Sequence, residues 1–239
     1  MYNITVGWMY PNLLNLHGER GSVQALVHIG KKMGVYVNVV RIEDFDDPIP
    51  LDELDLLLFL PGEIETFRHL IPALRSQPIS DYLESGGYAL AIGTTGLLFG
   101  KSITRVDGSV LEALGYLDMT AKERKFVWGD DLHFRLNGSE MELVGSQIMM
   151  ADVDARVPLG TTIYGRANNN TGSEGARFKN LIYTNCLGPL LVKNPWFGEQ
   201  LIRDILRRKN IELEVNVDHS LAVDSFNTTL DFIKKKSVK

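Results

Sequence analysis

Cysteine is almost absent: Cys186 is the only one in 239 residues, so no internal disulfide framework holds the chain, and a reducing compartment, the cytoplasm, suits it. A basic, apolar leader is also lacking. Residues 1–8 (Met1-Tyr2-Asn3-Ile4-Thr5-Val6-Gly7-Trp8) contain no Lys or Arg, and the longest apolar stretch, Leu54 to Leu60, is broken by Asp55; neither export nor membrane spanning is expected. There is no surplus of positive charge. Twenty-five Lys and Arg against 30 Asp and Glu give a net charge of −5 with both signs interspersed, which leaves no electrostatic footprint for a phosphate backbone, so nucleic acid is not an expected partner. The basic runs Arg207-Arg208-Lys209 and Lys234-Lys235-Lys236 read as cations at helix C-termini facing water. The five histidines (His17, His28, His69, His133 and His219) are scattered without a pair at ligand spacing, so neither a metal nor another cofactor is expected.

What is present is apolar material, 44% of residues, enough for a chain of this length to bury about three quarters of its unfolded surface. Short apolar runs alternate with helix-like stretches, the pattern of a mostly parallel sheet covered on both faces. Strands are expected near Ile4–Met9, Val35–Arg41, Leu54–Leu60 and Tyr88–Ile92, with helices over Ser22–Met33 and Ile79–Glu84 between them. From Lys125 the texture changes to alternating segments, Phe126–Leu136 and Met141–Met149, parted by the hairpin signal Asn137-Gly138. A further strand is expected at Leu181–Thr184. Phe197, Leu201, Ile202, Ile205 and Leu206 then fall at helical spacing, with Asn194 as N-cap and Pro195 in the first turn. The tail reads as an appended strand, Ile211–Val217, and helix, Ala222–Lys235. No solenoid repeat and no linker are present.

Several strings resemble one family. Tyr10-Pro11-Asn12-Leu13-Leu14-Asn15-Leu16-His17-Gly18-Glu19-Arg20-Gly21 is similar to Y-P-D-L-L-N-L-Y-G-D-R-G of the amidotransferase subunit of lipid II isoglutaminyl synthase, the GatD family, which belongs with the cobyric-acid-synthase (CobB/CobQ) type of class I glutamine amidotransferases. Glu84-Ser85-Gly86 with Leu90-Ala91-Ile92, and Leu114-Gly115-Tyr116-Leu117-Asp118-Met119-Thr120, follow in the family's order, as do Pro158-Leu159-Gly160, Gly165, Asn168-Asn169, Glu174-Gly175 and Gly188-Pro189-Leu190-Leu191-Val192-Lys193-Asn194-Pro195. The likeness covers about Tyr10 to Leu206. It implies a flavodoxin-like three-layer sandwich with a mostly parallel central sheet and additional antiparallel strands, over residues 1–210, followed by a C-terminal extension, 211–239.

Such a family attacks the glutamine side-chain amide with a cysteine thiolate, using a histidine base and backbone N–H groups around the oxyanion. Where the family reads A-I-C-G-G-Y-Q-L-L-G this chain reads Ala91-Ile92-Gly93-Thr94-Thr95-Gly96-Leu97-Leu98-Phe99-Gly100, with Gly93 at the nucleophile position. Glycine suits the strained turn without a thiol. Where the family reads T-Y-L-H-G-P, Leu187 stands at the base position of Thr184-Asn185-Cys186-Leu187-Gly188-Pro189. The oxyanion loop G-G-G-Q-D corresponds to Leu60-Pro61-Gly62-Glu63-Ile64, in which Pro61 has no N–H to give beside Gly62. No catalytic residue of the family is therefore expected to act here.

Other groups could substitute. The hydroxyls of Thr94 and Thr95 could be nucleophiles or caps of a helix beginning at Gly96; Cys186 could be reactive or a small buried hydrophobe. Arg124 stands at the spacing of the family's glutamine-carboxylate arginine, and is either that contact or an ordinary surface cation. Gly96 and Gly100-Lys101-Ser102 fall short of a phosphate-binding loop, which would need glycine at position 95. The family's subunit works beside a Mur-ligase-like, ATP-dependent partner on a peptidoglycan precursor. The resemblance thus implies a degenerate subunit of such a ligase; the alternatives are a sensor of glutamine or a related amino acid, with Arg124 and Thr94 as substrate-binding residues, and an enzyme with altered chemistry.

Overall fold

The computed structural model describes residues 2–46 and 48–237; residues 1, 47, 238 and 239, the last two within the expected extension, lie outside the description. In chain order the elements are β1 (Tyr2–Met9), α1 (Arg20–Lys32), β2 (Val35–Ile42), β3 (Leu56–Phe59), α2 (Phe67–Arg75), α3 (Ile79–Glu84), β4 (Tyr88–Ile92), β5 (Ser102–Thr104), β6 (Val110–Glu112), β7 (Met119–Leu136), β8 (Glu142–Ala155), β9 (Gly160–Tyr164), β10 (Ser173–Glu174), β11 (Ala176–Phe178), β12 (Leu181–Thr184), α4 (Leu190–Lys193), α5 (Pro195–Arg208) and α6 (Ser220–Ser237). The first sheet has the order β11-β12-β4-β3-β1-β2, parallel throughout except for β11 at one edge. Every residue of β3 and β12 is buried, as strands covered on both faces require.

Two apolar layers sandwich this sheet. On one face Val23, Leu26 and Ile29 of α1 join Leu190 and Leu191 of α4 and Phe197, Leu201 and Ile205 of α5. On the other, Phe67, Leu70, Ile71 and Leu74 of α2 pack with Ile79, Tyr82 and Leu83 of α3. The second sheet, β10-β9-β7-β5-β6 with β8 paired to β7, is built on the long β7–β8 hairpin, which turns at Asn137-Gly138 with Gly138 at φ 73°. The hairpin brings Leu132, Phe134 and Leu143 into one apolar layer and Met119, Ala121, Ala151 and Val153 into the other.

Several expectations change. Strand Leu54–Leu60 shrinks to Leu56–Phe59. Helix α2 has no counterpart in the sequence reading: its apolar residues have helical spacing around an internal Pro72. Segment Ile211–Val217 keeps the alternation of a strand, its odd-numbered residues half-buried and its even ones exposed, yet it pairs with no sheet. It is held by a side chain instead: Arg203 of α5 donates Nη1 to the Leu213 carbonyl at 2.7 Å and Nη2 to the Val215 carbonyl. Asn194 occupies the cap position of α5 with Pro195 following, but makes no capping bond. Its Oδ1 accepts from Val144 N–H at 2.9 Å and its Nδ2 donates to the Val144 carbonyl at 2.8 Å, fixing β8 to the helix layer.

Candidate functional site

The chain leaves β4 at Ile92 and bends sharply at Gly93, whose φ of 65° lies in the left-handed region, where a side chain is disfavoured. A 3-10 turn, Gly93–Phe99, follows in place of the expected helix from Gly96, and all seven of its residues are buried. The two threonines accordingly cap nothing. Thr94 Oγ1 donates to the Gly62 carbonyl at 2.6 Å and accepts from Gly62 N–H at 3.1 Å; Thr95 Oγ1 lies 3.1 Å from the Phe59 carbonyl and 3.0 Å from that of Ile92. Both hydroxyls tie the bend to β3 and its loop. Neither bonds to a histidine or a carboxylate, the base that a hydroxyl nucleophile needs. The Gly62 N–H is engaged by Thr94 rather than pointing into an open hole.

Leu187 reaches the bend from the other side. It pairs backbone to backbone with Ser146 of β8 (Leu187 N–H to the Ser146 carbonyl at 2.8 Å, Ser146 N–H to the Leu187 carbonyl at 3.0 Å), which fixes its side chain over Gly93. A Cβ built on Gly93 would lie 3.1 Å from Leu187 Cδ2 and 3.1 Å from Pro61 Cγ. The structure thus brings together Gly93, Leu187, Pro61, Gly62 and Thr94. The cavity left among Gly93, Thr94, Met149, Tyr183 and Asn185 is about 10 Å³, the lower limit for one water.

Arg124 does not line that cavity. It sits in the irregular stretch of β7 between Glu123 and Trp128 and donates Nη1 to Asp152 of β8 at 2.5 Å, while its buried Nε has no partner among the described residues. Cys186 is buried, with its backbone N–H on Thr184 Oγ1 at 3.0 Å; burial pushes its thiol well up, with the Glu174 and Glu19 carboxylates adding in the same direction. Lys101 of the phosphate-loop-like string pairs with Asp118 at 2.5 Å.

Two buried carboxylates near the site escaped the sequence reading. Glu19 accepts from Gly188 N–H at 2.6 Å, Leu190 N–H at 3.1 Å and Ser22 Oγ at 3.0 Å, and Ser22 Oγ in turn accepts from Leu191 N–H at 3.2 Å. The string ending at Gly21 and the string beginning at Gly188 are thereby bolted together, and Gly21 is needed because a Cβ there would meet Pro189 Cγ at 2.6 Å. Glu174 accepts from Thr184 Oγ1 at 2.7 Å, Asn185 N–H at 2.6 Å and Asn185 Nδ2 at 3.0 Å. Burial raises both carboxyl groups above the ordinary range, although their hydrogen bonds pull the other way. For Glu19 a signal was there in the sequence, an acid in the first long string with Ser22, able to donate to it, three residues on; Glu174 is ten residues from Thr184, and only the fold brings the two together. Among the described residues no group of three His, Cys, Asp or Glu side chains could hold a metal ion, and no helix is long and apolar enough to cross a membrane.

A six-stranded, mostly parallel sheet in this order, helices on both faces, an antiparallel annex and a glycine bend at the end of β4 define the fold of a class I glutamine amidotransferase. Two solved structures share it: a glutamine amidotransferase, with 15% identity and a TM-score of 0.51 over 84% of this chain and 98% of that one, and the glutaminase domain of Trypanosoma brucei CTPS with bound acivicin, with 9% identity and a TM-score of 0.53 over 85% and 94%. In sequence the chain is similar to the GatD subunit of lipid II isoglutaminyl synthase (glutamine-hydrolyzing) from Staphylococcus aureus, with 28% identity over 97% of this chain and 96% of that protein. The Streptococcus pneumoniae subunit of the same name is 25% identical over 87% and 82%. No family model matches the chain.

Proposed function

We propose that this chain is a glutamine amidotransferase-like subunit of the cytoplasm that does not hydrolyse glutamine, and that partners a Mur-ligase-like, ATP-dependent amide ligase which amidates a peptidoglycan precursor with free ammonia. The likeness to two GatD subunits over most of their length supports the partnership. The observation that carries the loss of hydrolysis is the packing at Gly93: Leu187 and Pro61 stand at 3.1 Å from where a side chain would begin, and no thiol or imidazole is in the cluster. Loss of a nucleophile alone lowers kcat by about a million-fold where it has been measured in a serine protease.

The amino-acid sensor has less support. A cavity of about 10 Å³ admits no amino acid, and Asp152 beside Arg124 would repel the carboxylate that Arg124 would have to bind. Altered chemistry through Thr94, Thr95 or Cys186 has no base, and the thiol is pushed away from its reactive form. The test is ammonia release from glutamine by the purified chain, alone and with the ligase recovered from the native host. No release by the chain alone, with a ligase co-purifying, is expected. Turnover by the isolated chain at an enzyme-like rate would end the reading, and so would its recovery without a partner at native abundance.

A further inference from the structure

At the end of the first sheet's strands away from Gly93, where β12 begins, a cleft of about 850 Å³ opens between the β7–β8 turn, the loop before β9, β11 and α5. Its charged lining is Arg156, Arg177 and Lys179, with no Asp or Glu among the lining residues, in a chain whose net charge is −5. Backbone contacts bring the three cation-bearing residues together. Arg177 N–H donates to the Val157 carbonyl at 3.1 Å, next to Arg156, and Arg177 Nε donates to the Lys179 carbonyl at 2.9 Å. Asn137 Nδ2 donates to the Pro158 carbonyl at 3.1 Å, pinning the facing wall.

Two of the cations have acids behind them, outside the lining: Arg156 Nη1 is 3.7 Å from Asp118 and Lys179 pairs with Glu84. Arg177 has none, and its two Nη groups make no hydrogen bond among the described residues, so a guanidinium fork is presented unoccupied, the geometry that grips phosphate oxygens in pairs. Lys179 adds a second anomaly. It stands in the two-residue connection from β11 to β12 at φ 51°, a conformation that glycine or asparagine adopts more readily. The turn itself does not call for lysine, whose ammonium lies between Glu84 and the cleft. Below the cations the floor is apolar, formed by Met141, Ile182 and Phe197, with the amide of Gln200 at its margin.

We propose that this cleft binds a small organic diphosphate, its phosphates on Arg156, Arg177 and Lys179 and its organic body on the apolar floor. Arg177 is free among the described residues and Arg156 and Lys179 would exchange Asp118 and Glu84 for the ligand, so the three donors call for at least two negative groups close together, and the volume calls for more than the anion itself. The site owes nothing to the residues around Gly93, so it stands or falls separately from the ligase partnership.

The test is calorimetric titration of the full chain with inorganic pyrophosphate, ADP and geranyl diphosphate, repeated with Arg177→Ala and Lys179→Gly. At least one organic diphosphate is expected to bind more tightly than pyrophosphate, and each substitution is expected to weaken it about ten-fold or more, as removal of a charged hydrogen-bond donor does. Lys179→Gly should melt no lower than the parent, because glycine relieves the turn, which separates lost binding from lost folding. Whether ADP or geranyl diphosphate is preferred identifies a flat or an aliphatic body. No heat from any of the three at millimolar concentration overturns the proposal, as does pyrophosphate binding as well as both organic ligands, or affinity untouched by the two substitutions.

Discussion

Placing a thiol at the bend is the most direct perturbation, and its effect can be worked from the structure. In Gly93→Cys the new side chain must adopt a φ of 65°, which disfavours a residue with a Cβ by about 1–2 kcal/mol. Its Cβ then meets Leu187 Cδ2 and Pro61 Cγ at 3.1 Å each, before the sulfur is placed, an overpacking worth about 1–3 kcal/mol. Together these predict a loss of about 2–5 kcal/mol, a fall in Tm of about 4–20 °C for a chain of this size. Leu187→Ala should by itself be destabilising by about 2–5 kcal/mol. Combined with Gly93→Cys it should be less than additive by about 0.5–3 kcal/mol, because each change relieves the other. Urea denaturation of the four proteins measures the cycle, and an ammonia assay on Gly93→Cys should read no glutamine hydrolysis, since no imidazole faces the thiol. A loss below about 1 kcal/mol for Gly93→Cys, or strict additivity, would refute the account of a filled site.

Three further outcomes follow from the buried groups. Glu19→Gln turns one accepting oxygen into a donor facing N–H groups of Gly188 and Leu190, and urea denaturation should show a loss of about 1–3 kcal/mol; an unchanged midpoint contradicts the bolt. Glu174 has its carboxyl raised by burial, so the native state holds its proton to higher pH than the unfolded chain does. Its contribution to stability is full below the unfolded value and declines as pH rises through the raised one. Glu174→Gln, which resembles the protonated acid, should remove part of that decline at pH values above the ordinary carboxylate range, and parallel pH curves for the two proteins would contradict it. Cys186, buried and with its thiol pushed up, should react with a thiol reagent only as fast as the protein opens; labelling at the rate of a free thiol would place the side chain elsewhere.

The parallel sheet was legible because its strands are continuous apolar runs separated by periodic helices: β1, β4 and β12 fall within a residue or two of their expected bounds. The bend at Gly93 was legible too, from one glycine in a recognisable string. What escaped was decided by partners distant in sequence. Segment 211–217 alternates like a strand, but no sheet edge is offered to it, and Arg203 supplies hydrogen bonds to two of its carbonyls instead. Thr94 and Thr95 look like helix caps locally, yet the carbonyls of Gly62 and Phe59, more than 30 positions earlier, compete for the same hydroxyls. Glu19 reads as a surface acid at the start of a helix until β12 and α4 bring the N–H groups of Gly188 and Leu190 onto it. Arg124 was open between two roles, and only the cross-strand neighbour Asp152 gives it an intramolecular one.

The same contacts change what the two long strings mean. Their presence beside Gly93 and Leu187 invites a partner as the reason, but Glu19, Ser22, Gly21 and Pro189 lock the strings to each other, and a lock of that kind serves the fold. Residues of the strings that the fold does not use are the ones that speak for a partner. Leu13 and Val192 are such residues, apolar and exposed at 39% and 51%. Leu13→Asp and Val192→Asp should shift stability by no more than about 0.5 kcal/mol, as exposed substitutions do, while abolishing co-purification with the proposed ligase partner; Glu19→Gln should do the reverse, lowering stability and leaving the folded fraction able to bind. If both aspartate variants still bring the ligase down at the level of the parent, the strings are kept for architecture, and the contact with the ligase lies elsewhere on the surface.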